Sequence, residues 1–572
     1  MRSWSTTGVL GLLLAMAGCS TGDSQPASTP SASAAKRGAG AADKKSFASP
    51  MPTASEPLSG PVGGIAMPQV AAAPAGATPS PGAEASLDAF ADARDSEPVA
   101  NQEAYEGVVD NSFLPVSASN TLSTFSIDVD TASYSIVRRD LNQGRLPPKE
   151  AVRIEEMINY FTYAYPPPSK DVPFSVNLEA VACPWNPEHQ LVRIGLQGKT
   201  IAAEARPVSN LVFLVDVSGS MQDANKLPLV KAGLKLLVDQ LTENDRVAIV
   251  VYAGAAGMVL DSTTGDKKRE ILAALENLQA GGSTNGGEGI QLAYRVAADH
   301  LVSKGINRVI LCSDGDFNVG VTDRSALVRL VEQQAKSGVF LTMLGFGSGN
   351  LKDATMEQLA DKGNGNYAYI DTLNEAQKVF VDQIQGTLMT IAKDVKIQVD
   401  FNPAKVASFR LIGYENRILA HQDFDNDQKD AGEIGAGHTV TALYELVPAV
   451  SDVPVGRATG EPAGDKLLTV RLRYKQPDAA ESQLLEFSAM DRGLAFSQAS
   501  PDCAWAASVA AFGMILRDSP YKGNATLPAV LEIAQTAKGD DKAGYRAEFL
   551  ELVRSAQRLA TGNSSVSAAP RQ

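Results

Sequence analysis

Histidine and cysteine are scarce, four of each in 572 residues, and neither is arranged for chemistry. Cys19, Cys183, Cys312 and Cys503 form no Cys-x-x-Cys pair and have no histidine at zinc-like spacing, which argues against a zinc site. Cys312 falls inside an apolar run and reads as a small hydrophobe. Cys183 and Cys503 are open to pairing in an oxidising compartment, but the geometry that decides it is not in the sequence. His189, His300, His421 and His438 fall on different expected elements, and none belongs to a His-Glu-x-x-His pattern. A Gly-x-Ser-x-Gly elbow is missing, and the glycine-rich stretch 281–289 lacks the Lys-Ser/Thr ending of a phosphate-binding loop. Positive charge is in deficit: 51 Lys and Arg stand against 65 Asp and Glu, a formal net charge of −14. Nucleic-acid affinity rests on Lys and Arg at phosphates, so that class is disfavoured, as is adsorption to an anionic membrane surface. Protein, metal and cationic partners remain.

Against these absences stands one stretch, Asn210-Leu-Val-Phe-Leu-Val-Asp-Val-Ser-Gly-Ser-Met221. Its unbroken apolar run, 211–215, reads as a strand buried on both faces. Asp216, Ser218 and Ser220 follow at alternate positions, and Gly219 lets the backbone turn. A carboxylate and two hydroxyls where a buried strand ends make a hard-oxygen site suited to Mg²⁺ or a similar divalent ion. Open α/β sheets bind ligands at that end of their strands. The loop 281–287 offers Thr284, and a second apolar run starting at Val309 ends in Asp314.

The Asp-x-Ser-x-Ser pattern, followed in order by Thr284 and Asp314, resembles the metal-ion-dependent adhesion site of von Willebrand factor type A domains. The resemblance covers about 207–390. It implies that Asp216, Ser218, Ser220, Thr284 and Asp314 surround the ion, with Thr284 as the third hydroxyl and Asp314 as the second carboxylate. Two carboxylates come close to balancing the ion, and Mg²⁺ keeps waters in its octahedral shell. An exchangeable position is then left for a Glu or Asp of a protein partner. Mg²⁺, Mn²⁺ and Ca²⁺ all stay open. Asp316 and Asn318 lie on the same rim but outside the motif's spacing.

At 572 residues, with 44% apolar and 20% charged residues, several soluble domains are expected. Residues 1–19 have one basic residue and a short apolar core, too short for a comfortable membrane span, and fit an export signal. Ala17-Gly18-Cys19 resembles the bacterial lipobox, with Met16 where Leu is usual; the resemblance implies a lipidated Cys19. Ser20, rather than Asp, then implies the outer membrane. Residues 20–105, rich in Ala, Pro, Ser and Gly, read as a disordered tether spanning about 50 Å r.m.s..

An α+β accessory unit is expected over 106–206. In it Asp128, Asp130 and Ser133 mimic a second oxygen cluster, but Asp130 reads as the N-cap of a helix over 131–141. A helix over 149–160 carries Glu155 and Glu156 as exposed residues, and strands are expected over 174–182 and 191–196. Strands and helices then alternate from 207 to 390, ending in a helix over 374–388, which predicts a doubly wound, mostly parallel α/β sheet. A β-rich, sandwich-like unit is expected over 391–500, helices over 501–562 and a disordered tail over 563–572. The segments flanking the sheet domain resemble those of a group of bacterial lipoproteins with a type A domain. Asp423, Asp425 and Asp427 alternate as in a calcium loop, but Gln428 replaces the required Gly and Ile434 the closing Glu, so they read as a solvated turn.

Together these features describe an exported, lipid-anchored binding protein of the cell envelope, not an enzyme, that captures a protein partner through a divalent ion. The alternative is an envelope scaffold with a structural metal. A Mg²⁺-dependent hydrolase is the third class, discriminated by metal-dependent turnover.

Overall fold

The computed structural model describes residues 103–169, 172–202, 205–282, 286–315, 324–449 and 466–566. The expected signal with Cys19, nearly all of the tether, Thr284, Asp316 and Asn318 lie outside these residues.

Ahead of the central sheet come β1 (Leu114–Pro115), β2 (Leu122–Ser126), α1 (Ala132–Asn142), α2 (Ile154–Asn159), β3 (Phe174–Ala182) and β4 (Gln190–Gly198). The sheet domain follows: β5 (Ser209–Asp216), α3 (Leu227–Asp239), β6 (Arg246–Tyr252), β7 (Ala256–Thr264), α4 (Lys268–Glu276) and α5 (Gly286–Asp299). Its second half is β8 (Ile306–Ser313), α6 (Arg324–Lys336), β9 (Phe340–Phe346), α7 (Asp353–Lys362) and β10 (Tyr367–Ile370). The six strands lie in the order β10-β9-β8-β5-β6-β7, all parallel except β7, which returns antiparallel along β6. Every residue of β5 is buried, as a strand covered on both faces requires. On α3, Leu227, Val230, Leu234, Leu237 and Val238 are buried at helical spacing against the sheet. This is the α/β architecture expected from the alternation.

The expected helix over 374–388 is broken. It runs as α8 (Leu373–Gln377), a wide π turn (Lys378–Asp382) and α9 (Ile384–Leu388). In the π turn the Gln383 amide reaches back to the Lys378 carbonyl at 2.8 Å, and the buried Lys378 ammonium sits 2.9 Å from the centre of the Tyr160 ring.

Beyond it come β11 (Thr390–Phe401), β12 (Val406–Ile412), β13 (Gly432–Gly435), β14 (Thr439–Pro448), β15 (Lys466–Lys475) and β16 (Ser482–Met490). The helices α10 (Pro501–Arg517), α11 (Leu527–Ala537) and α12 (Tyr545–Val566) follow. The segments before and after the sheet domain do not fold as the separate units expected over 106–206, 391–500 and 501–562. One sandwich sheet has the order β1-β12-β14-β4-β3, interleaving early and late strands; the other is β13-β11-β15-β16, with β2 also paired to β11. Antiparallel pairing of β4 with β14, Gln190 opposite Leu446, removes an edge that either piece alone would expose. Stacked Phe401 and Phe409, with ring centres 4.2 Å apart, fill the space between the sheets. The helices close likewise: α10 packs on α2 and α12 on α1, around Phe161, Trp505 and Phe549. Cys183 and Cys503 are buried in this core as free thiols. No described helix is long and apolar enough to cross a membrane.

Candidate metal centre

Chain order and sheet order diverge beside β5. From β5 the chain moves one way to β6 and β7, then crosses to β8 on the other flank. The crevice opened at such a switch point, at the carboxyl ends of the strands, is where α/β sheets hold ligands. Val215 lies opposite Cys312, so Asp216 ends β5 level with Ser313, and Asp314 stands one residue beyond. Two chain segments almost 100 positions apart thus bring their carboxylates to one rim.

Asp216 is fully buried. Its Oδ1 accepts the Ser218 amide at 2.9 Å and its Oδ2 the Ser313 hydroxyl at 3.3 Å, with the Tyr252 hydroxyl also bearing on it. None of these partners is charged. Burial, together with the nearby Asp314 charge, pushes the Asp216 carboxyl up to about 6, although the hydrogen bonds from Ser218 pull it down. The Ser218 and Ser220 hydroxyls stand 3.0 Å apart on the turn after the strand. The start of the Thr284 loop is tied to that turn: the Gly281 amide reaches Val217 O at 2.7 Å, and the Gly219 amide reaches Gly282 O at 3.0 Å. Gly282 has φ +86°, a conformation that glycine adopts without strain. Thr284 itself lies outside the described residues.

Asp314 is equally buried but oppositely tuned. Burial works against its charge and is overcome by the Lys226 ammonium, 2.9 Å from Oδ2, and by hydrogen bonds from Asn350 and Ser220. Its carboxyl is held below the usual range. Lys226 is the residue that the sequence reading missed. Its one local mark is that it is the single basic residue between Asp216 and α3, which does not by itself point to Asp314.

The Asp128–Asp130 motif is not a helix cap. Thr131 occupies the N-cap of α1 without a side-chain bond, while Asp130 Oδ1 accepts the Tyr367 amide of β10 at 2.8 Å. Glu155 and Glu156, expected to be exposed, are buried: Glu156 Oε2 accepts the Ser133 amide of α1 at 2.7 Å, and Glu155 lies against Gly413 just after β12. Carboxylate oxygens of Asp128, Glu156 and Glu357 lie within 4.8 Å of one another. The cluster is threaded by guanidinium groups. Arg153 pairs with Glu156 and Asp353, and Arg417 reaches Asp128 at 3.4 Å and Glu357 at 3.1 Å. Burial pushes Glu156 up to about 8, with Glu357 and Asp128 adding to the shift and Arg153 opposing it. A second group, Asp394, Asp430 and Glu433, also lies within 4.8 Å. The alternating aspartates form no calcium loop: Asp425 is exposed and pairs with Arg473. His189 meets Glu445 and His421 meets Thr124, each on a different partner.

Three family models match the chain: von Willebrand factor type A domain over residues 210–403, von Willebrand factor over 99–193, and the C-terminal region of uncharacterized protein YfbK over 386–559. The chain is 44% identical over 478 residues to uncharacterized protein YfbK of Escherichia coli (strain K12), covering 81% of this chain and 82% of that protein. It is 28% identical over 204 residues to inter-alpha-trypsin inhibitor heavy chain H1 of Homo sapiens, covering 33% and 21% of the two chains. Among solved structures it is similar to a von Willebrand factor type A protein from Catenulispora acidiphila, at 17% identity and TM-score 0.39, covering 64% of this chain and 87% of that one.

Proposed function

The chain belongs to the YfbK family of proteins with a von Willebrand factor type A domain, and on that premise we propose that it is a binding protein that captures an acidic group of a protein partner through a divalent ion at the end of β5. Type A domains commonly hold such an ion and mediate protein interactions. The observation that carries the reading is Asp216: a fully buried carboxylate whose described hydrogen-bond partners are all neutral, beside two hydroxyls 3.0 Å apart. A buried carboxylate without a counter-charge is costly, and this donor set fits a hard, oxygen-seeking ion. Asp216, Ser218 and Ser220 would hold the ion, with Asp314 and Thr284 beside them. The ion supplies an electrophilic position and no catalytic step is proposed; Mg²⁺ is the first candidate. The lipobox likeness at Cys19 supports an exported protein tethered to the cell envelope, at the outer membrane.

Replacing Asp216 by Ala tests the capture reading. Cross-linking to an envelope partner should require Mg²⁺, reverse with EDTA and vanish in the variant while melting is retained. A lowered melting temperature with capture retained favours the scaffold reading instead. One observation supports that alternative: Arg138 of α1 pairs with Asp371 and Glu375 after β10 and with Glu548 of α12, fastening the sheet domain to both flanking segments. Incorporation of labelled fatty acid, lost on Cys19→Ala, tests the anchor.

A further inference from the structure

Lys226 has no place in the metal-ion motif, yet the fold is shaped to deliver it there. It lies immediately before α3 and is buried. Its aliphatic stem runs over Gly347, just past the end of β9. A Cβ on Gly347 would stand 2.5 Å from both Cγ and Cε of Lys226, and the backbone there has φ +73°. Both the missing side chain and the backbone conformation call for glycine. The slot directs the ammonium onto Asp314 Oδ2 at 2.9 Å, while the bonds to Asp216 come from neutral groups. The charge count at the site therefore differs from the two carboxylates alone. Among the described residues Asp216 and Asp314 contribute two negative charges and Lys226 returns one, so on that count a divalent ion leaves the filled site one charge positive.

We propose that Lys226 is a resident counter-ion of this centre, which weakens capture of the divalent ion by the protein alone and leaves the filled site short of one negative charge, the charge that an acidic partner group supplies. The inference rests on the metal-dependent reading above and adds its regulation: ion and partner carboxylate bind cooperatively because Lys226 has already neutralised Asp314. Burial lets a charge this close to the ion act with little screening.

The test is calorimetric titration of Mg²⁺ into the full chain and its Lys226→Met, Lys226→Gln and Lys226→Arg forms, each checked for native melting. Met and Gln should bind Mg²⁺ more tightly by roughly tenfold or more, and Arg should keep the parent affinity. Adding acetate as a minimal carboxylate should tighten Mg²⁺ binding by the parent more than by Lys226→Met. Unchanged or weaker Mg²⁺ affinity in both neutral variants would overturn the counter-ion role, as would an equal acetate effect in parent and Lys226→Met. If instead no form binds Mg²⁺, or binding persists after Asp216→Ala, the metal reading itself falls, and this inference with it.

Discussion

Asp216→Asn keeps the shape of the buried side chain and removes its charge. Burial raises the Asp216 carboxyl from 3.8 to about 6. At ~1.4 kcal/mol per unit, the ionised form costs the ion-free fold about 3 kcal/mol. The folded value lies above the unfolded one, so the penalty is absent below pH 3.8, grows through the interval and is complete above pH ~6. In EDTA near pH ~7.5 the variant should therefore be more stable than the parent, by about 1–3 kcal/mol once the weakened bonds to Ser218 and Ser313 are allowed for. Mg²⁺ should close or reverse that gap. At ~100 times its dissociation constant a ligand of the native state stabilises by about 2.7 kcal/mol, and the parent should receive this while the variant does not. Urea unfolding of both proteins, with EDTA and with Mg²⁺, gives the four values needed. A variant less stable than the parent in EDTA, or an equal Mg²⁺ effect on both, would refute the reasoning.

Glu156→Gln addresses the buried carboxylate cluster. Burial raises Glu156 from 4.5 to about 8, so its contribution to stability is complete below pH 4.5 and is lost as pH rises toward 8. The parent's urea midpoint should fall across that window and the variant's should fall less; superimposable profiles would show that Glu156 does not titrate there. Arg138→Met leaves Asp371 and Glu375 buried without their guanidinium partner. A loss of about 3–5 kcal/mol is expected in urea melts, the usual cost of breaking a buried ion pair from one side, and a loss below ~1 kcal/mol would show the clamp to be dispensable.

The sheet domain was legible because its signals are local. An apolar run buried on both faces announces β5, and Asp216, Ser218 and Ser220 share its single segment. What stayed hidden depends on distant partners. Alternation marks β4 and β14 as strands but does not record that Gln190 lies opposite Leu446, so the two halves of one sandwich read as separate units. Asp130 obeys the local rule for a helix cap, yet it is claimed by the Tyr367 amide. Glu155 and Glu156 sit on what looks like the outer face of a short helix, yet Gly413 after β12 and the Ser133 amide of α1 lie against them. Lys226 meets Asp314 across 88 positions of chain, and no spacing rule joins them.

The central claim is tested most directly by titrating Mg²⁺ into the parent and its Asp216→Ala form by calorimetry, with Lys226→Met alongside as the tighter binder. Saturable one-to-one binding, present in the parent, strengthened in Lys226→Met and absent without Asp216, is the predicted result. Binding that survives the loss of Asp216, or no saturable binding in either the parent or Lys226→Met, would contradict a divalent-ion centre at the end of β5.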